Sequence, residues 1–273
     1  MTTLNYWMTP NLDERIKDHS IDFKIKYNKT KFKKLSFFES AKDSAYKIAN
    51  NYSNLYVAFS GGLDSDFIVT LLHELKIPFK PIIVNSNYNK LERSYAFFKC
   101  KKINLSPIVI DCTEELYFNI YKKDIFSKFN GVGINAVPLL IAGYYCQKNN
   151  GTLISGEHII DDSDSIDLVS INEWDFYQDY IFNKTIGLLN YTPEIVYSIV
   201  NSYDKTPTQE FKTKLFNLDF RPKFKNVFSE ELNYKINELN SKRKCNPITS
   251  INLGNKKEFL QMMDSWNNEK VDI

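Results

Sequence analysis

The chain is poor in the residues that interrupt regular structure: Gly and Pro number 9 each in 273 residues. No repeat or low-complexity tract is present either. Cysteine is scarce too. Cys100, Cys112, Cys146 and Cys245 form no CxxC pair and no Cys/His zinc spacing, which excludes a disulfide framework and a zinc ribbon. They read as buried or incidental thiols in a reducing compartment. Apolar runs are short: the stretch 136–145 falls well below the ~20 residues of a membrane-spanning helix. The first ten residues lack a basic stretch followed by an apolar one, so no secretory signal and no membrane partner are expected, and the cytoplasm is the expected location. Neither sign of charge prevails. Lys plus Arg is 35, Asp plus Glu is 33, and the net charge is +2. That balance excludes a strongly basic nucleic-acid coat and a long acidic tail.

What remains is an ordinary globular composition, 43% hydrophobic and 25% charged. A chain of this length can bury roughly three quarters of its unfolded surface without a staple. Residues 1–36 are polar and irregular and read as an N-terminal arm or small edge element. Residues 37–51 carry apolar side chains at helical spacing. Leu55 to Phe59 (LYVAF) is a continuous apolar run, as a strand buried on both faces requires. Helices are then predicted over 66–75, 91–102, 114–129 and 137–147, and strands over 81–84, 107–110 and 152–155. Strands separated by helix-length connections predict a doubly wound, mostly parallel α/β sheet. Beyond about residue 165 strand signals fade, and helices are predicted over 193–201, 208–216, 229–240 and 256–266. The expected organisation is thus an arm (1–36), an α/β core (37–165) and a helical C-terminal part (166–273).

The most informative string is Ser60-Gly61-Gly62-Leu63-Asp64-Ser65, set between the first core strand and a helix. Open α/β sheets bind ligands at the carboxyl ends of their strands. Two glycines let the backbone turn its N–H groups onto an anion, and the helix adds its positive end. Ser60 and Ser65 can donate hydroxyl hydrogen bonds to phosphate. Asp64 would repel a bare phosphate and makes sense where Mg²⁺ bridges it to phosphate oxygens. The alternative is a plain Ser-Gly-Gly turn whose Asp caps the helix. The string is neither a Walker A loop nor GxGxxG.

Ser60 to Ser65 resembles the SGGxDS motif of the N-type ATP pyrophosphatase (PP-loop) superfamily. That superfamily includes asparagine, β-lactam, carbapenam, GMP and NAD synthetases and RNA-modifying adenylating enzymes. The resemblance implies an adenine nucleotide alpha hydrolase-like, Rossmann-like fold, ATP and Mg²⁺ as cofactors, and cleavage of ATP to AMP and pyrophosphate. It places adenine near Val84 and Asn85. Ser155-Gly156-Glu157-His158-Ile159-Ile160-Asp161-Asp162 is similar to the SGEGxDE segment of asparagine synthetase, whose Asp holds a Mg²⁺ opposite the loop Asp. Here the first Asp comes one residue late, so Asp161 is the first choice as second metal ligand and Asp162 the second, with Gly156 and Glu157 beside the nucleotide. Lys212, followed by Arg221-Pro222-Lys223, resembles the late segment of asparagine and β-lactam synthetases. It implies catalytic roles for Lys223 and Lys212 and a phosphate contact for Arg221.

These islands, within about residues 37–225, imply an ATP-dependent carbon–nitrogen ligase, asparagine-synthetase-like. It would adenylate a small-molecule carboxylate and pass it to ammonia or an amine. Thr2 stands after Met1, where glutamine-using asparagine synthetases carry a catalytic Cys, so free ammonia, a separate glutaminase or an amine on the substrate is the expected donor. Two alternatives stay open: activation of a carbonyl oxygen on a nucleobase or tRNA, which the balanced charge disfavours, and an ATP-binding module without turnover. Other features carry the plainer reading. Gly131 to Ala136 fits GxGxxA but reads as a helix–helix turn. His158 reads as a hydrogen-bonding residue. Tyr88, Tyr95, Phe97 and Phe98 are expected in the core, and packing is the reading for Trp174, Phe176, Tyr177 and Tyr180.

Overall fold

A computed structural model describes residues 6–18, 21–127, 136–156, 168–171, 185–204, 206–222, 227–242 and 251–268. Its centre is a five-stranded sheet, parallel throughout. In chain order the strands are β3 (Leu55–Ala58), β4 (Lys80–Asn85), β5 (Ile108–Asp111), β6 (Thr152–Ser155) and β8 (Thr185–Gly187). They lie side by side as β5-β4-β3-β6-β8. The chain runs outward from β3 through β4 to β5, then crosses back to β6 on the other side of β3. The order therefore reverses between β3 and β6, the crevice where such sheets hold ligands. The fold is the α/β, Rossmann-like one expected.

Alternation of side chains fixes what covers each face. Tyr56, Ile82 and Leu153 meet Ala142 and Cys146 of α6 (Val137–Lys148), whereas Val57, Ile83 and Ile154 face the larger core on the other side. That larger core takes in α2 (Phe37–Asn51) and α3 (Leu63–Glu74). α2 starts at a capping box, in which Ser36 and Glu39 bond each other's backbone N–H groups. Its buried stripe includes Phe37, Ala41, Ala45 and Ile48. It packs on α7 (Pro193–Ser202), which Thr192 caps and Pro193 opens. Two hydroxyl pairs, Ser40–Ser198 at 2.9 Å and Ser44–Thr192 at 3.0 Å, satisfy the polar groups this contact buries.

Further helices, each near an expected position, are α4 (Lys90–Lys102), α5 (Glu114–Ile120), α8 (Thr208–Phe216), α9 (Glu230–Asn240) and α10 (Lys256–Asn268). Four features differ from expectation. α5 continues into a π-helical turn, Tyr121–Phe126, whose wider winding carries no signal in helical periodicity. β8 joins the central sheet from beyond residue 165, and β7 (Leu168–Ile171) pairs antiparallel with β9 (Ile251–Asn255). β8, with three residues, is too short to show a period. Tyr88 is buried as expected, but Tyr95, Phe97 and Phe98 are exposed on α4, so they are surface and not core. Gly131–Asn135, Trp174, Phe176, Tyr177, Tyr180 and His158 lie outside the described residues.

The N-terminal segment is firmly packed. β1 (Met8–Pro10) and β2 (Ile25–Tyr27) pair antiparallel around α1 (Leu12–Lys17). Trp7 is fully buried and donates its indole N–H to the Asn190 carbonyl at 3.2 Å. Its ring stacks on Tyr27 and meets Trp266 of α10 edge-on, so the first and last described elements share one aromatic cluster. Among the described residues no helix is long and apolar enough to cross a membrane.

Replacing Trp7 by Ala should cost about 3–5 kcal/mol, the range for a large core aromatic, read as a lower urea midpoint at unchanged slope. Cys100 and Cys112 are buried and their thiols are pushed up to about 11, and Cys146 to about 12, by desolvation. Since the thiolate is the nucleophile, peptides carrying these three should take up iodoacetamide at pH 8 only after denaturation.

Candidate active site

The loop Ser60–Gly62 leaves the end of β3 and enters α3 at Leu63, three residues earlier than periodicity predicts. Asp64, Ser65 and Asp66 therefore sit in the first turn of a 12-residue helix, whose hydrogen-bond ladder opens with the Asp66 N–H donating to the Gly62 carbonyl at 2.9 Å. Gly61 has φ +98°, in the left-handed region, and a Cβ there would lie 2.0 Å from the Glu92 carbonyl oxygen. Only glycine lets the loop press this closely on α4. The hydroxyls brace the loop: Gly62 N–H donates to Ser60 Oγ at 3.1 Å, Ser65 Oγ donates to the Gly62 carbonyl at 3.1 Å, and the two Oγ atoms are 3.2 Å apart.

Gly156 follows β6 on the other side of the crevice. A Cβ on it would lie 2.9 Å from Asp64 Cβ and 3.1 Å from Ser65 N. The glycine after β6 thus closes on the loop after β3, joining two segments about ninety residues apart in sequence. Between them opens a cleft of ≈ 320 Å³, within the usual range for small-molecule sites. Ser60 to Ser65 floor it, Val84, Ile82 and Tyr88 line an apolar side, and Gln209 and Arg221 reach it from the C-terminal part.

The C-terminal part supplies two cations. Lys212 of α8 places Nζ 2.8 Å from Asp64 Oδ2, and both groups are buried. Arg221 bonds Asp66 Oδ2, donates Nη1–H to the Gly61 carbonyl at 2.7 Å, and lies 4.9 Å over the Tyr95 ring. Asp66 is fully buried, and its other oxygen takes Lys99 at 3.1 Å. A third carboxylate, Glu92 of α4, lines the cleft beside Gly62. Its pKa is raised, first by desolvation and then by the charge of Asp64.

The structure thus gathers Ser60, Gly61, Gly62, Leu63, Asp64, Ser65, Val84, Gly156, Lys212 and Arg221 around one cleft. Glu157, Asp161, Asp162 and Lys223 lie outside the described residues. Glu92, Asp66, Lys99 and Tyr95 have no motif to announce them. Asp66 directly follows the SGGLDS string and was the one within reach of inspection.

Among the described residues no three His, Cys, Asp or Glu side chains gather as a metal site. The donor chemistry nevertheless fits a hard divalent cation. Asp64 already binds a cationic group, the Lys212 ammonium, at 2.8 Å, and Glu92 lines the same cleft, so two hard oxygen donors stand at one site.

No protein-family model matches the sequence, and no curated protein matches it. Solved structures do resemble the chain. NMN synthetase from Francisella tularensis is 14% identical, with 76% of this chain and 94% of that chain covered, at a TM-score of 0.37. NH3-dependent NAD synthetase from Campylobacter jejuni subsp. jejuni is 16% identical, with 87% and 96% covered, at 0.39. A predicted subunit of tRNA methyltransferase from Methanocaldococcus jannaschii is 15% identical, with 75% and 98% covered, at 0.39. At such identity and overlap the likeness is one of chain path and brings neither substrate nor activity with it.

Gly61→Ala should fail in two ways, because Ala is strained at φ +98° and its Cβ meets backbone, not a movable side-chain tip. The expected result is a lower melting temperature and faster amide exchange across 60–66, whereas Gly151→Ala, which crowds the Tyr56 ring away from the cleft, should destabilise without loosening that loop.

Proposed function

We propose that the protein is an ATP-dependent, AMP-forming carbon–nitrogen ligase of PP-loop type, asparagine-synthetase-like. The observation that carries this reading is the SGGLDS loop at the sheet's reversal point, with Lys212 buried against its Asp64. Adenine occupies the apolar side against Val84. The phosphates lie over the loop amides and the N-terminus of α3, with Ser60 and Ser65 donating. A substrate carboxylate oxygen attacks the α-phosphorus, the bond to the β-phosphate breaks, and pyrophosphate leaves. Lys212 supplies positive charge where negative charge develops. Mg²⁺, held by Asp64 and, on the resemblance, by Asp161 or Asp162, would neutralise the phosphates when bound. Ammonia or an amine then attacks the acyl carbon and AMP departs. Lys223 is the proposed cation for that second step, and Gly156 and Glu157 border the nucleotide. No protein nucleophile is required, so positioning and charge must supply the rate. The proposed setting is the cytoplasm, with free ammonia or a separate glutaminase as donor.

One observation favours a second reading. Tyr95, Phe97 and Phe98 are exposed on α4 and are followed by exposed Lys101 and Lys102, the combination on which unpaired bases stack. The activated oxygen would then belong to a nucleobase or tRNA.

The test is product analysis after incubation with Mg-ATP, ammonium and a pool of carboxylic acids including aspartate. AMP and pyrophosphate are expected, with turnover lost in Asp64→Asn and reduced about 10²-fold in Lys212→Met. ADP and phosphate would overturn the mechanism. AMP formed only when RNA replaces the acids would favour the second reading.

A further inference from the structure

Asp66 is fully buried, charged, and has no part in the reaction proposed above. Its two oxygens are taken by Lys99 at 3.1 Å and by Arg221. We infer that Arg221 is a positioning residue for the phosphate loop, covering the Gly61 carbonyl so that it is not presented to an anion, and that Asp66 and Tyr95 keep it in that role.

A loop that binds phosphate through N–H groups is spoiled by any carbonyl turned toward the anion. The Gly61–Gly62 unit is the peptide most able to turn, because glycine on both sides removes the steric barriers that fix other residues. The unit is trans and planar, so its C=O and N–H point to opposite sides. Each end is pinned. Arg221 Nη1–H donates to the carbonyl at 2.7 Å, and the N–H donates to Ser60 Oγ at 3.1 Å. Rotating the peptide breaks both bonds.

Arg221 is itself fixed in three ways. One nitrogen is on Gly61 and the other on Asp66, and the guanidinium lies 4.9 Å over the Tyr95 ring. Lys99 anchors Asp66 from the other side, so the carboxylate cannot follow a departing arginine. For Arg221 to become a phosphate ligand it would have to leave a buried carboxylate with one counter-charge and uncover the Gly61 carbonyl. Both changes oppose anion binding. A planar fork suits this double role and a lysine does not. Arg221 comes from the C-terminal part, so the shape of the loop depends on that part being docked.

The two roles make opposite predictions for Asp66→Asn. If Arg221 positions the loop, Asp66→Asn, Arg221→Met and Arg221→Lys should each weaken ATP binding about tenfold or more, the loss of a charge-assisted bond. The Asp66→Asn/Arg221→Met double variant should be no weaker than the worse single one, because both break one unit. Binding is measured by calorimetry with a non-hydrolysable ATP analogue, with a thermal melt of each variant as the check on folding. Should Arg221→Met fail to fold, Tyr95→Leu on the exposed face of α4 serves, with a smaller loss in the same direction. Tighter binding in Asp66→Asn, or near-wild-type binding in Arg221→Lys, would overturn the proposal in favour of a phosphate ligand held in reserve.

Only this affinity arm rests on the ATP reading. Amide hydrogen exchange of the peptide spanning 60–66, in protein without nucleotide, tests the latch directly. Faster exchange there in Arg221→Met and Asp66→Asn upholds it, even if the wild type binds no ATP and the functional reading fails. Unchanged exchange overturns it.

Discussion

Two carboxylates on one helical turn, both buried, govern how this molecule is assembled. Asp64 and Asp66 stand in the first turn of α3, and the C-terminal part provides a cation for each, Lys212 and Arg221. A buried carboxylate without its partner is strongly unfavourable, typically by 3–5 kcal/mol once the pair is broken. The helices after residue 200 are therefore held to the core by more than apolar packing. The two pairs also fix where those helices sit, since each needs a side chain at one particular place. An apolar interface could slide by an ångström at small cost, but a short ion pair could not.

That constraint meets another from the opposite side. Gly61 leaves no room for a Cβ against the Glu92 backbone, and Gly156 leaves none against Asp64. The loop is thus clamped by α4 on one flank, by the segment after β6 on another, and by Lys212 and Arg221 above. Glycine is used here for close approach as much as for its conformational freedom, and its scarcity elsewhere in the chain makes these uses conspicuous. A loop held from three directions has its N–H groups oriented before any ligand arrives, which lowers the ordering cost of binding.

How far the sequence reveals this depends on the kind of signal. The β3 strand could be read from LYVAF, because a strand buried on both faces is continuously apolar, and α7 from Thr192-Pro193, because a cap and an N1 proline are local chemistry. β8 could not be read: three residues carry no period, and what makes them a strand is pairing with β6. Trp7 sits in polar surroundings along the chain, yet it is buried because Tyr27 and Trp266 converge on it in space. At the site, Asp64 is legible from its place after two glycines at a strand–helix junction and Lys212 from motif resemblance alone, and their 2.8 Å contact spans 148 positions. Glu92, Lys99 and Tyr95 had no such marker. They matter because α4 lies against the loop, and only the fold brings it there. The exposed Phe97 and Phe98 make the converse point: helical spacing of aromatics identifies a face but not whether anything covers it.

The charges around the loop explain why a metal belongs in the reading. Asp64, Asp66 and Glu92 are balanced by Lys99, Lys212 and Arg221, so the described ionisable groups nearest the loop sum to zero. The site therefore offers an anion no net charge, only the directed attraction of the N-terminus of α3. Bringing phosphate near Glu92, whose carboxyl already titrates high through burial and the charge of Asp64, pushes that group further toward its neutral form unless another cation enters. Lys212 cannot serve both Asp64 and the phosphates at full strength from one position. On the function proposed here, a divalent ion held by Asp64 would supply the second positive charge that one ammonium cannot, and Lys212 would then face the phosphates with its own charge undivided.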